Sequence, residues 1–358
     1  MKNKKIIVAI FVISVMLIGV FSFVACNNTP SEGNNSPSGD GITSGNGETT
    51  QVSYTIVAPD GAPALSIANL ASRISTEGKQ YAVNRKVVAS STISAEAVKN
   101  DVDMAIVPAN LAAKIFNTGG GYKMLAVVTN GNLYVTSSIS SNVESLQDLK
   151  GKMVYSIGQS SVPDMIFQTL LKKADIPYEV GETPSSGKVT IKYCLDGSEV
   201  ISQLALAKAK GQLAFGIYAE PAVTNSKAKG FEEVFDLQSL WAQSGDDSQN
   251  GYAQAVLIAR DRVCEDSEFV AKLLDSFVAN ESAILKDSAK AVENIKAIYP
   301  QSALQANMTS QVIGRCNIKT VKADALGRNY YENTLKAVMA INANLIGGQL
   351  PSDDFYIA

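Results

Sequence analysis

Residues 103–112 read Asp-Met-Ala-Ile-Val-Pro-Ala-Asn-Leu-Ala. Met104–Val107 is a continuous apolar run, too short to stand alone as a helix, and it stops at Pro108. Such a run ending at a breaker fits a strand buried on both faces. Beyond it, Leu111–Phe116 turns helical. The same alternation extends outward. Upstream, Tyr54–Ala58 reads as a strand, Pro59-Asp60-Gly61 as a turn, and Leu65, Ala68, Ala71 and Ile74 follow at helical spacing. Val87–Ala89 reads as a short strand and Ala95–Asn100 as a short helix. Downstream, Leu125–Val128 is another buried strand.

A second set begins near Leu146. Leu149-Lys150-Gly151-Lys152 leads into a strand at Met153–Ser156, then a Gly/Ser turn, then a helix over Val162–Ala174. Val189–Tyr193 alternates like a strand, Ser198–Lys208 is helical, and Leu213–Ile217 is a strand ending in Tyr218-Ala219-Glu220-Pro221. Gly251–Ala259 is a further strand. From Ser267 the pattern is helical to about Asn344, with Phe269, Leu273, Leu274 and Phe277 marking the first helix. Strands alternating with helices predict an α/β protein with a mostly parallel sheet covered on both faces. Ala95 to Pro108 and Glu199 to Pro221 share a pattern of helix, polar turn and apolar strand, which two similar lobes would produce.

The bulk numbers narrow the chemistry. The chain has 358 residues, 46% of them hydrophobic, enough for two lobes of ordinary domain size. It contains no histidine, which removes His-based acid–base catalysis, Ser–His and Cys–His nucleophiles and His-ligated metals. An Asp, Glu or Lys enzyme is still open. Lys2, Lys4 and Lys5 are the only charges before residue 26. The rest holds 28 basic against 34 acidic residues, a net of −6, which does not suit nucleic acid. The cysteines are Cys26, Cys194, Cys264 and Cys316, with no CxxC, so no metal and no cofactor is expected. Cys264 and Cys316 either pair or stay as free thiols.

At the N-terminus a basic Lys-Asn-Lys-Lys precedes an apolar stretch over residues 6–25. It ends in Phe23-Val24-Ala25-Cys26, which resembles a bacterial lipobox with Phe23 in place of the usual Leu. By that resemblance residues 1–25 are a signal peptide, and Cys26 carries the diacylglycerol and palmitate of a lipoprotein. An uncleaved transmembrane anchor is the alternative. Either way the body faces outward. Residues 26–51, rich in Gly, Ser, Asn and Thr, read as a flexible tether spanning roughly 25–30 Å.

From Val52 onward the sequence resembles the type II solute-binding proteins of ABC importers, in the branch that binds nitrate, sulfonates and thiamine-pyrimidine precursors. The resemblance rests on Val57–Leu65, Asp103–Ala112, Leu146–Val154, Ala219-Glu220-Pro221 and the tail Ile346–Tyr356. It implies two lobes with a ligand cleft between them and a helical C-terminal region. Residues 52–130 plus 256–358 would form lobe 1 and 137–251 lobe 2, with crossings near 131–136 and 252–255. It implies a monomer that closes on a small molecule and hands it to a permease and its ATPase. The competing readings are a sensory receptor without its own permease and an enzyme on the same fold.

Ligands of open α/β sheets sit beyond the carboxyl ends of the strands. On this chain that selects Asp60, Gly61 and Ala62; Asn110; Gln159, Ser160 and Ser161; and Tyr218 and Glu220. Thr129, Asn130 and Asn132 lie beside the first crossing, and Trp241, the only tryptophan, could stack on a flat ligand. Ser161 with Asp164 resembles a capping box. Helix N-termini facing a cleft favour an anion such as a sulfonate or nitrate. Glu220 favours an amine or aminopyrimidine.

Overall fold

Met104–Val107 is the buried part of a central strand, and every one of its side chains is wholly covered. The computed structural model that places it describes residues 50–245, 251–305 and 308–357. The signal-like segment, Cys26 and the tether up to residue 49 lie outside the described residues, whereas Thr50 and Gln51, expected in the tether, open the first strand.

The chain first builds β1 (Thr50–Pro59), α1 (Ala62–Leu65), β2 (Arg73–Thr76), β3 (Lys79–Val88), α2 (Ile93–Glu96), β4 (Met104–Pro108), α3 (Ala109–Asn117) and β5 (Tyr122–Asn130). It then crosses into a second body. This holds β6 (Leu133–Ser137), β7 (Met153–Ser156), α4 (Val162–Lys173), β8 (Tyr178–Val180), β9 (Val189–Tyr193), α5 (Gly197–Ala209), β10 (Phe215–Ala219), α6 (Ala222–Lys227), β11 (Glu232–Asp236) and α7 (Leu237–Gln243). The return strand β12 (Ala253–Arg260) is followed by α8 (Asp261–Cys264), α9 (Ser267–Lys286), α10 (Ser288–Ile298), α11 (Ser310–Arg315), β13 (Val321–Lys322) and α12 (Ala325–Asn342).

Two sheets result. The first runs β13-β5-β12-β4-β1-β3-β2 and the second β11-β6-β10-β7-β9-β8. The α/β two-lobed architecture expected from the sequence is therefore present. The sheets are mixed, however, rather than mostly parallel. β4, β1 and β3 are parallel, but β12 runs antiparallel to both β4 and β5. The cause is the crossings: β12 re-enters the first sheet from the other lobe, and β6 enters the second sheet against the direction of β10. Direction is a property of the route between lobes, which an apolar run does not encode.

The helix expected through Ile74 is also corrected. α1 stops at Leu65, and Ile74 lies in β2. The carbonyls that would continue the helix are taken by distant side chains. Asn280 Nδ2 donates to Leu65 O and Ser66 O at 2.9 and 3.0 Å, and Arg85 Nη1 donates to Ile67 O and Ala68 O at 3.0 and 2.6 Å.

One face of the first sheet packs on α9 and α10. There Phe269 meets the Tyr54 and Tyr81 rings at 5.2 and 4.4 Å, a burial that stabilises by about 1.5–3 kcal/mol per large side chain. The other face packs on α3 and α12, and this core continues into the second lobe through α4 and α7. A separate core under α5 and α6 covers the far face of the second sheet. Among the described residues no helix is long and apolar enough to cross a membrane.

Candidate functional site

Gly131-Asn132 joins β5 to β6, and Tyr252 precedes β12 on the way back. The two crossings touch: Gly131 N donates to Tyr252 O at 2.9 Å. Gln238 Oε1 then ties them to α7, accepting from Leu133 N and Tyr252 Oη, both at 2.8 Å. Asn317 Nδ2 donates to Gly131 O at 2.9 Å. A Cβ at Gly131 would lie 2.7 Å from Gln238 Cγ and 2.9 Å from the Tyr252 ring, so this position has no room for a side chain. The hinge is narrow and densely bonded.

The sheet ends around this hinge carry most of the residues singled out above. Asn132 is fully buried. Its Nδ2 donates to Cys316 O at 3.2 Å, and its own carbonyl accepts from Glu220 N at 3.2 Å. Asn110, at the start of α3, is 6% exposed and reaches across the lobes, donating from Nδ2 to Ser160 O at 3.2 Å and to Leu345 O at 3.4 Å. Asn110 thus meets the Gln159-Ser160-Ser161 loop. Asp60 lies in the β1–α1 loop, where its carboxylate accepts from Ser302 Oγ at 2.5 Å and Ala303 N at 2.8 Å. Gly61 has φ +100°, which only glycine adopts easily, and Ala62 is buried behind it. Gln159 lines a shallow depression of about 350 Å³ with Gly158, Tyr193, Cys194, Leu195 and Glu199.

The Ser161 capping box does not form. Asp164 instead accepts from Ser160 N at 2.9 Å, from Tyr193 Oη at 2.7 Å and from Gln168 Nε2 at 2.7 Å, while Ser161 makes no side-chain cap. The reason is Ser160, whose φ of +59° turns its N–H toward Asp164. Burial raises the Asp164 carboxyl above its ordinary value in spite of these donors. A full capping box forms at Ser145 and Asp148.

Two aromatic candidates pack inside the second lobe. Tyr218 is wholly buried, with its hydroxyl donating to Ser226 Oγ at 2.7 Å and accepting from Thr136 Oγ1 at 2.9 Å. Trp241 is 1% exposed and meets Tyr252 edge-on at 5.7 Å, so it buttresses the hinge. Glu220 is buried and held by Thr224 N, Thr224 Oγ1 and Arg315 Nε at 3.0, 2.8 and 2.5 Å. Arg315 completes this cluster from the other lobe. It projects from α11 of the first lobe into the second, where its Nη2 lies 2.7 Å from Glu233 and its guanidinium sits 4.0 Å over the Tyr134 ring. Lys227 pairs with Glu233 at 3.1 Å, so two cations balance two carboxylates here. No motif marks Arg315, because its partners lie 82 and 95 positions away.

The three cysteines among the described residues, Cys194, Cys264 and Cys316, are free. Among the described residues no group of three or more Cys, Asp or Glu is placed to hold a metal ion.

Solved structures with this architecture are numerous. An ABC transporter protein from Parabacteroides distasonis superposes with a TM-score of 0.65 over 87% of this chain and 99% of its own, at 18% identity. The chain has the two-lobed fold of the periplasmic binding proteins. The aliphatic sulphonate binding protein SsuA from Escherichia coli shares that fold with a TM-score of 0.59, at 11% identity over 86% of this chain and 92% of its own. The zinc-bound ligand-binding component of an ABC-type import system from Staphylococcus aureus gives 0.56, at 13% identity over 86% and 97%. No family model matches the sequence, and no curated protein matches it significantly. At these identities the likeness to periplasmic binding proteins is one of fold.

Proposed function

We propose that this chain is an extracytoplasmic solute-binding lipoprotein, anchored through Cys26, that captures a small molecule between its lobes and delivers it to an ABC importer. The observation that carries the reading is the hinge. Two lobes with their own sheets are joined through Gly131-Asn132 and Tyr252, and loops from both sheet ends meet there across Asn110 and Ser160. Rotation about such a hinge opens and closes a cleft by parting the apolar contact of α12 with α4. The absence of histidine from the whole chain favours binding over catalysis.

In this reading 1–25 is the signal peptide and 26–51 the tether. Lobe 1 is 52–130 plus 256–358, lobe 2 is 137–251, and the protein acts as a monomer beside its permease and ATPase. Asp60, Gly61, Ala62, Asn110, Asn132, Gln159, Ser160 and Ser161 line the ligand cleft. The solute is a sulfonate- or nitrate-like anion or an aminopyrimidine- or amine-type metabolite.

A thermal-shift screen of small metabolites tests this. A ligand at 100 times its Kd adds about 2.7 kcal/mol of stability, and closure alters the emission of Trp241, which packs on the hinge. No stabilising solute in a broad panel, together with lobes that stay fixed in small-angle scattering, would refute the reading. The anchor is tested separately. Cys26→Ala releases the protein from membranes and leaves solute affinity unchanged; retention at the membrane would show that the apolar segment itself is the anchor.

A further inference from the structure

Three buried polar atoms at the hinge end of the first sheet have no protein partner: Asn110 Oδ1, Thr129 Oγ1 and Asn132 Oδ1. Their residues are 6%, 0% and 0% exposed. The sheet register groups them. Ala255 of β12 pairs with Pro108 on one side and Thr129 on the other. Asn110 follows Pro108 by two residues, and Asn132 follows Thr129 by three.

The chemistry these atoms offer is determined by what their neighbours already use. Asn110 Nδ2 faces the carbonyls of Ser160 and Leu345, and Asn132 Nδ2 faces the carbonyl of Cys316. A carbonyl only accepts, so the NH₂ group must lie on that side and the amide oxygen on the other. Both asparagines therefore present acceptors, and Thr129 adds a hydroxyl that also accepts. Gln254 Oε1, in the bulge of β12 between Ala253 and Ala255, is a further buried acceptor without a partner.

The charges point the same way. Asp60 is held by a hydroxyl and a backbone N–H, and Asp164 by a backbone N–H, an amide and a phenol. Arg315, the cation that reaches between the lobes, is committed to Glu220 and Glu233. The N-terminal end of α4, which by itself would attract an anion, already has Asp164 in its first turn. An oxyanion entering here would face the two amide oxygens of Asn110 and Asn132, with only the Thr129 hydroxyl able to donate to it.

We infer that the solute is a neutral or cationic amine whose N–H groups bond to Asn110, Thr129 and Asn132, and that oxyanions are rejected. This inference rests on the solute-binding reading above and narrows it to one ligand class.

The test is a thermal-shift and calorimetric titration of the full chain in detergent, with n-butylamine and 4-aminopyrimidine set against butane-1-sulfonate, pyrimidine-4-carboxylate and nitrate. The amines stabilise the protein and the oxyanions do not. Thr129→Val leaves the free protein as stable or more so, since it removes an unsatisfied hydroxyl, and weakens amine binding at least tenfold. Thr129→Ser retains the hydroxyl and the affinity. Stabilisation by an oxyanion with the amines inert would overturn the ligand class and leave solute binding standing. So would a metabolite that binds without N–H donors when both series fail. Equal amine affinity in Thr129→Val and the parent would overturn the assignment of the site. Failure of every solute in a broad panel would remove the solute-binding reading as well.

Discussion

Replacing Arg315 by Met keeps an aliphatic stem over Tyr134 and removes the guanidinium that joins the lobes. Glu220, whose side chain is 0% exposed, then retains only Thr224 N and Thr224 Oγ1 as donors. A buried carboxylate deprived of its cation costs about 3–5 kcal/mol. The Arg315 side chain is 28% exposed, so water screens part of the pair and the lower end of that range applies. Glu233 is 23% exposed and keeps Lys227 at 3.1 Å, so its loss is small. The cation–π contact at 4.0 Å adds roughly 0.5–1 kcal/mol. The expected total is about 3.5–4 kcal/mol. With about 2 cal/mol/K of unfolding entropy per residue, that lowers Tm by about 6 °C for a body of this size. Urea unfolding followed through Trp241 fluorescence measures the loss. The double variant with Glu220→Gln removes the stranded charge and recovers about 1 kcal/mol or more of it. A loss below about 0.5 kcal/mol, or no recovery in the double variant, would refute the bridge as a structural tie.

Gly131→Ala forces a methyl group against Gln238 and Tyr252, and calorimetry should find about 1–3 kcal/mol of destabilisation; a variant as stable as the parent would show that the hinge is loosely packed. Burial pushes the Cys194 and Cys264 thiols up to about 11, and Cys316 higher still. A disulfide reagent at pH 8 should therefore label these three slowly in the native protein and all of them at once in guanidinium; fast native labelling would contradict their burial. Burial also raises the Asp164 carboxyl above its ordinary 3.8. The folded protein then binds this proton at pH values where the unfolded chain has lost it, so the group's contribution to stability grows as pH falls from neutrality toward 3.8. Asp164→Asn lacks that gain, so the parent's stability relative to this variant should rise between pH 7 and pH 5; a difference independent of pH would show that Asp164 titrates normally.

How much of this was legible in the chain varies with the range of the interaction. Met104–Val107, Met153–Ser156 and Val189–Tyr193 were readable as strands, and α4 within a residue, because an apolar run between breakers leaves few local choices. α1 ends earlier than the apolar spacing suggests because Asn280 takes the Leu65 carbonyl and Arg85 the Ile67 carbonyl just beyond it, from 215 and 18 positions away. Ser161 and Asp164 have the spacing of a capping box, yet Ser161 N donates to Gly158 O and the carboxylate accepts from Ser160 N instead.

By itself the sequence determined the fold class, the strands at its centre, the missing histidine chemistry and the loops from which a site could be built. These follow from local stiffness and from the pattern of apolar side chains, which each segment carries with it. Tertiary structure alone decided strand direction, since β12 returns from the other lobe. It also committed Glu220 to Arg315, placed Tyr218 and Trp241 in the packing, and left Asn110, Thr129 and Asn132 with acceptors facing no partner. Whether a polar group is free depends on what lies beside it in space, and its neighbours in the chain do not record that.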